Sequence, residues 1–249
     1  GLAIILVGDD PGSHVYVRLK EQAARVIGMH FERHNFPAAV AEETVIDLIH
    51  QLNNRKDIHG IVVQFPLPPG LGKNNIITAI DPAKDVDGFH PSNIAALLDG
   101  RPIIVPGLAE GIMLLLEQTH TNLNGKQAVI VANSTVFSQP LGYLLQQAGA
   151  QLQACNPDDQ SCRQAIGLAD VVVVAVGQPG LITSDMLKSG AIVIDVGYNR
   201  VDDQPVGDVD FDSVRQNAGW ITPVPGGVGP MTVVMLLQNV VRAYELQNQ

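Results

Sequence analysis

The chain has 249 residues, 46% hydrophobic and 16% charged, with a formal net charge of −10. This composition excludes disorder and supplies core enough for two lobes or one large α/β domain. The acidic balance, with 15 Lys and Arg in no basic tract, argues against a nucleic-acid surface. No apolar run exceeds the six residues of Val171 to Val176, a strand-sized length well short of the ~20 residues that span a bilayer, so no membrane segment is expected.

Leu2 to Val7 reads as a buried strand that stops at Gly8 and feeds a helix to about Ile27. Asp10 or Ser13 suits the helix cap and Pro11 its first turn, so Tyr16 and Lys20 share one face. His30 to Phe36 alternates like a strand, Glu42 to Asn54 has helical periodicity, and Gly60 to Gln64 is a third strand. Strands alternating with helices imply right-handed crossovers and a parallel sheet, with ligands beyond the carboxyl ends of the strands, here Gly8 and Gln64. Short helices over Lys73 to Ile80 and Asn93 to Leu98 flank the loop Asp85 to Pro91.

Pro106-Gly107 marks a boundary, and Ala109 to Gln118 reads as a helix leading out of the first lobe. A Rossmann-like order follows: strands Gln127 to Ala132, Gln151 to Cys155, Asp170 to Val176 and Ala191 to Val196, with helices near Val136 to Ala148, Ser161 to Leu168 and Thr183 to Leu187. Val206 to Val209 and Trp220 to Thr222 add short strands, and Met231 to Leu246 is a long apolar-striped helix. The expected fold is therefore α/β with two lobes: 1–107 plus 230–249, an N-terminal catalytic lobe, and 108–229, a Rossmann-like nucleotide lobe, with the site in the cleft between them. Cys155 and Cys162 offer neither a disulfide framework nor a metal-ligand spacing with the histidines. Free thiols in a reducing, cytoplasmic compartment and no metal site are expected.

Four motifs stand where strands or helices end: Ser13-x-x-Tyr16-Val17-x-x-Lys20, Val62-Val63-Gln64-Phe65-Pro66-Leu67-Pro68, Asp85-Val86-Asp87-Gly88-Phe89-His90-Pro91, and Pro223-Val224-Pro225-Gly226-Gly227-Val228-Gly229-Pro230-Met231-Thr232. In this order they resemble the bifunctional methylenetetrahydrofolate dehydrogenase/cyclohydrolase family, from the first residue to about Glu245. The resemblance implies tetrahydrofolate derivatives as substrates, oxidation of the 5,10-methylene to the 5,10-methenyl form, hydrolysis to 10-formyltetrahydrofolate, and a homodimer formed through the nucleotide lobe. It also implies a helix preceding the first strand, so a trimmed or incompletely covered chain is expected.

By the same resemblance Tyr16 stacks on the aminobenzoyl ring, Asp87 hydrogen-bonds the pterin, and Lys20, held by Gln64, handles protons and water at the one-carbon bridge. An ammonium beside a cationic methenyl intermediate in a partly dry cleft feels like-charge repulsion and desolvation, both of which favour its neutral form. Gln64 can accept from Lys20 without locking its charge, as a carboxylate would. Asp-Gly is also an ordinary turn, and Asp85 is the competing acid there; His90 is expected to be structural. Pro225, Gly226 and Gly227 belong to a stiff loop whose bare backbone can approach a flat ligand.

On the nucleotide side the resemblance implies NADP, with Ser134, Pro140, Gly177 and Thr232 as matching positions. Where the family has Gly-Arg-Ser-x-x-Val-Gly-x-Pro, however, this chain has Ala132-Asn133-Ser134-Thr135-Val136-Phe137-Ser138-Gln139-Pro140. Ala132 and Ser138 place side chains where bare backbone admits a pyrophosphate, and Asn133 removes a charge. Asn156-Pro157-Asp158-Asp159 replaces a basic phosphate-holding run, Pro106-Gly107-Leu108-Ala109-Glu110-Gly111 departs at the junction, and Tyr198 stands where a small aliphatic is usual. The departures predict a dehydrogenase step that is weakened, redirected to NAD through Asp158 on the ribose, or lost with no cofactor, while the cyclohydrolase step survives. The rival expectation is a non-catalytic folate- or partner-binding paralogue. A generic NAD-dependent dehydrogenase is disfavoured, because no Gly-x-Gly-x-x-Gly follows Gln127 to Val131.

Overall fold

The computed structural model describes residues 1–248, which form two compact units, 1–107 with 233–248, and Leu108–Thr232. In the first unit β1 (Leu2–Val7) leads to α1 (Pro11–Val26), β2 (Phe31–Phe36), α2 (Glu42–Asn53), β3 (Gly60–Val63), α3 (Lys73–Ala79) and α4 (Pro91–Leu98). The sheet is parallel, in the order β2-β1-β3, with Val7 opposite Phe36 and Ile5 opposite Val63. Every residue of β1 is buried, as a central strand covered on both faces requires. Leu2, Ile4 and Leu6 pack on Val17 and Ala24 of α1 and on Leu236, Leu237 and Val240 of the C-terminal helix Val228–Gln247. Ala3, Ile5 and Val7, on the opposite face, meet Val45, Ile49 and Leu52 of α2. The chain leaves β1 in one direction and returns on its other side, so the carboxyl ends of β1 and β3 form a topological switch point.

The loop after β3 is held from two sides. Asp85 accepts from the N–H groups of Gly88 (3.2 Å) and His90 (2.7 Å) and from Asn93 Nδ2 (2.9 Å). His90 Nδ1 accepts from Ser92 N–H at 3.1 Å, capping α4, a structural role. Gly88 has φ +78°, and a β-carbon there would stand 2.7 Å from Pro106 N, so only glycine fits. From the other side Asn239 of the terminal helix, fully buried, donates to the carbonyls of Val86 (2.9 Å) and Val105 (2.8 Å).

In the second unit α5 (Gly107–Gln118) precedes β4 (Gln127–Ala132), α6 (Thr135–Gln147), β5 (Gln151–Cys155), α7 (Gln160–Leu168), β6 (Val171–Ala175), a 3-10 turn at Ser184–Met186, β7 (Ile192–Asp195), β8 (Asn199–Val201), β9 (Gln204–Val206), α8 (Phe211–Val214) and β10 (Trp220–Ile221). The five-stranded parallel sheet, ordered β10-β7-β6-β4-β5, is doubly wound, and its switch point lies between β4 and β6. Ala128 and Ile130 face Ile112 and Leu116 of α5 and Leu141 and Leu145 of α6; Val129 and Val131 face Ile166 of α7 and Val214 of α8. Among the described residues no helix is long and apolar enough to cross a membrane.

Two expectations are corrected here. Val206 to Val209 is not a strand: the pairing is an antiparallel hairpin of β8 with β9, turning at Asp202 and Asp203, both at positive φ (48° and 60°). An Asp-Asp pair carries a turn of this kind less recognisably than Asn-Gly, which hid it in the sequence. Cys155 and Cys162 are not free thiols but a disulfide, with Cα atoms 5.5 Å apart. The intervening turn explains it: Asp158 N–H donates to Asn156 Oδ1 (3.1 Å), Asp159 N–H to Asn156 O (3.1 Å) and Cys162 N–H to Asp159 O (2.9 Å), folding α7 back onto the end of β5. The thiol-based argument for a reducing compartment goes with it.

Candidate active site

At the first switch point, α1 begins where Asp10 accepts from Ser13 N–H at 2.7 Å, so Asp10 rather than Ser13 is the cap. Three turns into this helix Lys20 is only 8% exposed, and its Nζ donates to Gln64 Oε1 at 3.0 Å. Gln64 stays in the ladder just past β3 through its N–H to Ile5 O (2.9 Å). Its own Nε2 donates to Phe65 O at 2.8 Å, which fixes the amide with oxygen toward Lys20. Ser13 Oγ donates to the same Phe65 carbonyl at 3.3 Å, tying α1 to the loop. Among the described residues Lys20 makes no ion pair within 4.0 Å, so its bonded partner is neutral. Tyr16, half-buried, lies one turn earlier on the same helix.

The two acids of the Asp85 to Pro91 loop separate by environment. Asp85 is spent on the loop's own N–H groups, as described above. Asp87 makes no hydrogen bond among the described residues; burial pushes its carboxyl up, and the nearby positive charge of Lys20 opposes that shift. Lys20, Gln64 and Asp87 thus share one neighbourhood, whereas His90 is turned to capping.

At the second switch point Asn133 Nδ2 donates to Val176 O at 3.1 Å, joining the ends of β4 and β6. Ser134 is exposed at the start of α6 and makes no side-chain cap bond, while Pro140 is buried within that helix. The exposed Gly177 has φ +81°, and its loop hangs on Asp208, which accepts from the N–H groups of Val176 (2.6 Å), Gly177 (2.9 Å) and Gln178 (2.9 Å) and from Asn199 Nδ2 (2.8 Å). Asp195 in turn accepts from the N–H groups of Gly197 (2.9 Å), Asp208 (3.0 Å) and Val209 (3.0 Å). A β-carbon at Gly207 would stand 1.8 Å from Asp195 Oδ2, so a glycine is what lets the carboxylate in. Asp195 and Asp208 were not singled out in the sequence; the signal was an acid placed beside or one residue from a glycine after a strand, in Asp195-Val196-Gly197 and Gly207-Asp208.

Burial, the largest cause, and then the charge of Asp208 hold the Asp195 carboxyl up at about 6, against 3.8 when free. The folded state therefore keeps a proton that the unfolded chain releases, so stability is expected to fall by about 3 kcal/mol as pH rises from roughly 4 to 6. Denaturant unfolding across that range checks it, and the slope should flatten in Asp195→Asn.

Pro225 and Gly226 are exposed, Gly226 has φ +108°, and Gly227 N–H donates to Pro223 O at 2.8 Å. Thr232 Oγ1 donates to Gly229 O at 2.7 Å within its own helix. Tyr198 is 48% exposed before β8. One cluster was missed entirely: His30, Glu32 and Asp57 bring ligand-type atoms within 4.8 Å of one another. Arg55 bonds both carboxylates and holds each at about 2, so the cluster is an ion-pair network on the edge of β2.

A lysine–amide pair at the switch point of one parallel α/β unit, and a second unit with a doubly wound parallel sheet, define an enzyme class that joins a catalytic domain to a dinucleotide-binding domain. The tetrahydrofolate dehydrogenase/cyclohydrolase catalytic domain matches residues 1–87, and the NAD(P)-binding domain of the same family matches residues 106–248. The chain is 48% identical over 246 residues to the bifunctional protein FolD of Polynucleobacter asymbioticus, covering 98% of this chain and 87% of that one. Among solved structures, it superposes on the Campylobacter jejuni FolD methylenetetrahydrofolate dehydrogenase/cyclohydrolase with a TM-score of 0.95 at 40% identity, covering 99% of this chain and 88% of that one. For the Trypanosoma brucei enzyme, solved with NADP cofactor and an inhibitor, the TM-score is 0.96 at 37% identity, covering 100% and 88%. The chain belongs to the tetrahydrofolate dehydrogenase/cyclohydrolase family.

The expectation of a nucleotide lobe that has lost its ligand is corrected by the NAD(P)-binding match. The physical reason is that Ser134 makes no side-chain cap bond to the first turn of α6, so the N–H groups of that turn stay available to an anion. Backbone donors are not removed by the side chains of Ala132, Asn133 or Ser138. Nothing in the comparisons favours a non-catalytic paralogue.

Proposed function

We propose that this chain oxidises 5,10-methylenetetrahydrofolate to the 5,10-methenyl form with NADP and hydrolyses that product to 10-formyltetrahydrofolate. The observation that carries the reading is the buried Lys20 with a neutral, orientation-locked Gln64 as its partner, within electrostatic reach of an unengaged Asp87. In the hydrolytic step Lys20 takes one proton from the water that attacks the one-carbon carbon and passes it to the ring nitrogen as the carbon–nitrogen bond breaks. The carbinol hydroxyl gives its remaining proton to solvent as it becomes the formyl carbonyl, which stays on the other nitrogen. Gln64 holds the lysine without a counter-charge, which would keep it protonated. Asp87 binds the pterin edge, Tyr16 stacks on the aminobenzoyl ring, and Pro225, Gly226 and Gly227 line the substrate.

When bound, the nicotinamide supplies the hydride acceptor. The first turn of α6 at Ser134, the buried Pro140 that shapes that helix, Gly177 and Thr232 are the residues assigned to the nucleotide. NADP is supported by the T. brucei relative solved with it. The homodimer through the nucleotide lobe is what the resemblance implies, and among the described residues β5, an edge strand of that lobe paired with β4, is a strand a second copy can reach.

The reading is tested with purified protein in two assays. Methenyltetrahydrofolate absorbance should decay with no nucleotide present, and methylenetetrahydrofolate should reduce NADP. Absence of catalysed decay overturns the folate reading, and NADP reduction below that with NAD overturns the choice of nucleotide.

A further inference from the structure

Phe65 follows Gln64, and its carbonyl is pinned by Ser13 Oγ (3.3 Å) and Gln64 Nε2 (2.8 Å). Three residues on, Pro68 lies against Gly8, where an added β-carbon would be 3.1 Å from its ring. The segment from Phe65 to Pro68 is thus clamped across the carboxyl ends of β1 and β3. Lys73, the first residue of α3, holds its ammonium 4.8 Å from the centroid of the Phe65 ring. That is cation–π range, and it stations an exposed lysine at the rim. Glu42, whose carboxylate lies against the residues flanking Lys73, is engaged by Gly72 N–H and by Asn75 Nδ2 (2.8 Å). Among the described residues Lys73 makes no ion pair, so a located but unneutralised cation stands at the rim of a chain with net charge −10.

We propose that Lys73, on its Phe65 platform, is a specificity residue that takes the carboxylates of the substrate's glutamyl tail. The inference rests on the folate reading, because it is a reduced folate that carries these carboxylates beyond its aminobenzoyl ring, at the end remote from the one-carbon bridge. A fixed cation there adds uniform binding, which lowers KM and leaves kcat unchanged. The attraction is between exposed charges, so it is screened by salt and grows with the number of glutamates.

The test uses three methenyl substrates: tail-less methenyltetrahydropteroate, the monoglutamate and the triglutamate. Lys73→Ala should raise KM about two- to fivefold for the monoglutamate and further for the triglutamate, with kcat and the pteroate KM unchanged. Lys73→Arg should restore the glutamate preference. An equal KM change for all three substrates, or none for the glutamates while the unaltered enzyme turns all three over, overturns this role alone. An unaltered enzyme that turns over none of them overturns the folate reading, and this role with it.

Discussion

Replacing Lys20 by methionine is expected to lower the cyclohydrolase kcat by about 10²- to 10⁴-fold, the range that a positioned acid–base group contributes. Methionine keeps most of the length and apolar stem of a side chain that is only 8% exposed, so the packing of that stem is largely retained. What it removes is the group at 3.0 Å from Gln64 Oε1 that can carry a proton between water and the leaving nitrogen. Lys20→Arg should fail almost as badly, because a guanidinium stays protonated and cannot serve as a base. Gln64→Glu is the complementary change: a carboxylate at the same position would hold the ammonium charged and slow the same step. The readout is decay of methenyl absorbance without nucleotide. If Lys20→Met kept more than about a tenth of the rate, Lys20 would not be the proton carrier that acid–base catalysis requires.

This site was more legible in the sequence than the elements around it because its parts sit where elements end. Apolar runs and turn residues locate Gly8 and Gln64 at strand termini, and the parallel order then places those termini together. Lys20 and Gln64 therefore meet at 3.0 Å as the motifs implied. The nucleotide lobe misled for a reason of the same kind. Loss of glycines at Ala132 and Ser138 is visible as letters, whereas the N–H groups of the first turn of α6 are the same for nearly any sequence. Tertiary bonds left even less trace. Asp195 and Asp208 order two loops through seven bonds, six of them to backbone N–H groups, and neither was given a role from the sequence. The Cys155–Cys162 disulfide depends on how tightly Asn156 to Asp159 turns, which spacing alone did not reveal.

Asn239 is the residue farthest along the chain from the site it serves, and Asn239→Leu is expected to destabilise the first unit by about 2–5 kcal/mol. Leucine fills a similar volume but leaves a buried carbonyl, Val86 O, and a part-buried one, Val105 O, without the donor they share at 2.9 and 2.8 Å. It also strips Arg242 Nη1 of its 3.2 Å contact with Asn239 Oδ1. An orphaned buried acceptor costs about 1–3 kcal/mol, so two give about 2–6 kcal/mol, and the partial exposure of Val105 O trims the upper end to about 5. Because Val86 immediately precedes Asp87, the variant should also raise KM for the folate before it lowers kcat. The measurement needs a probe in the right place. The single tryptophan, Trp220, lies in the second unit, so its fluorescence follows the wrong unfolding event. Hydrogen exchange at Gly88 and His90, whose amides are bonded to Asp85, reports the loop directly. Loss of protection there, with the amides of β4 and β6 unchanged, is the expected pattern; equal loss in both units would mean that Asn239 supports the whole chain rather than the Asp87 loop.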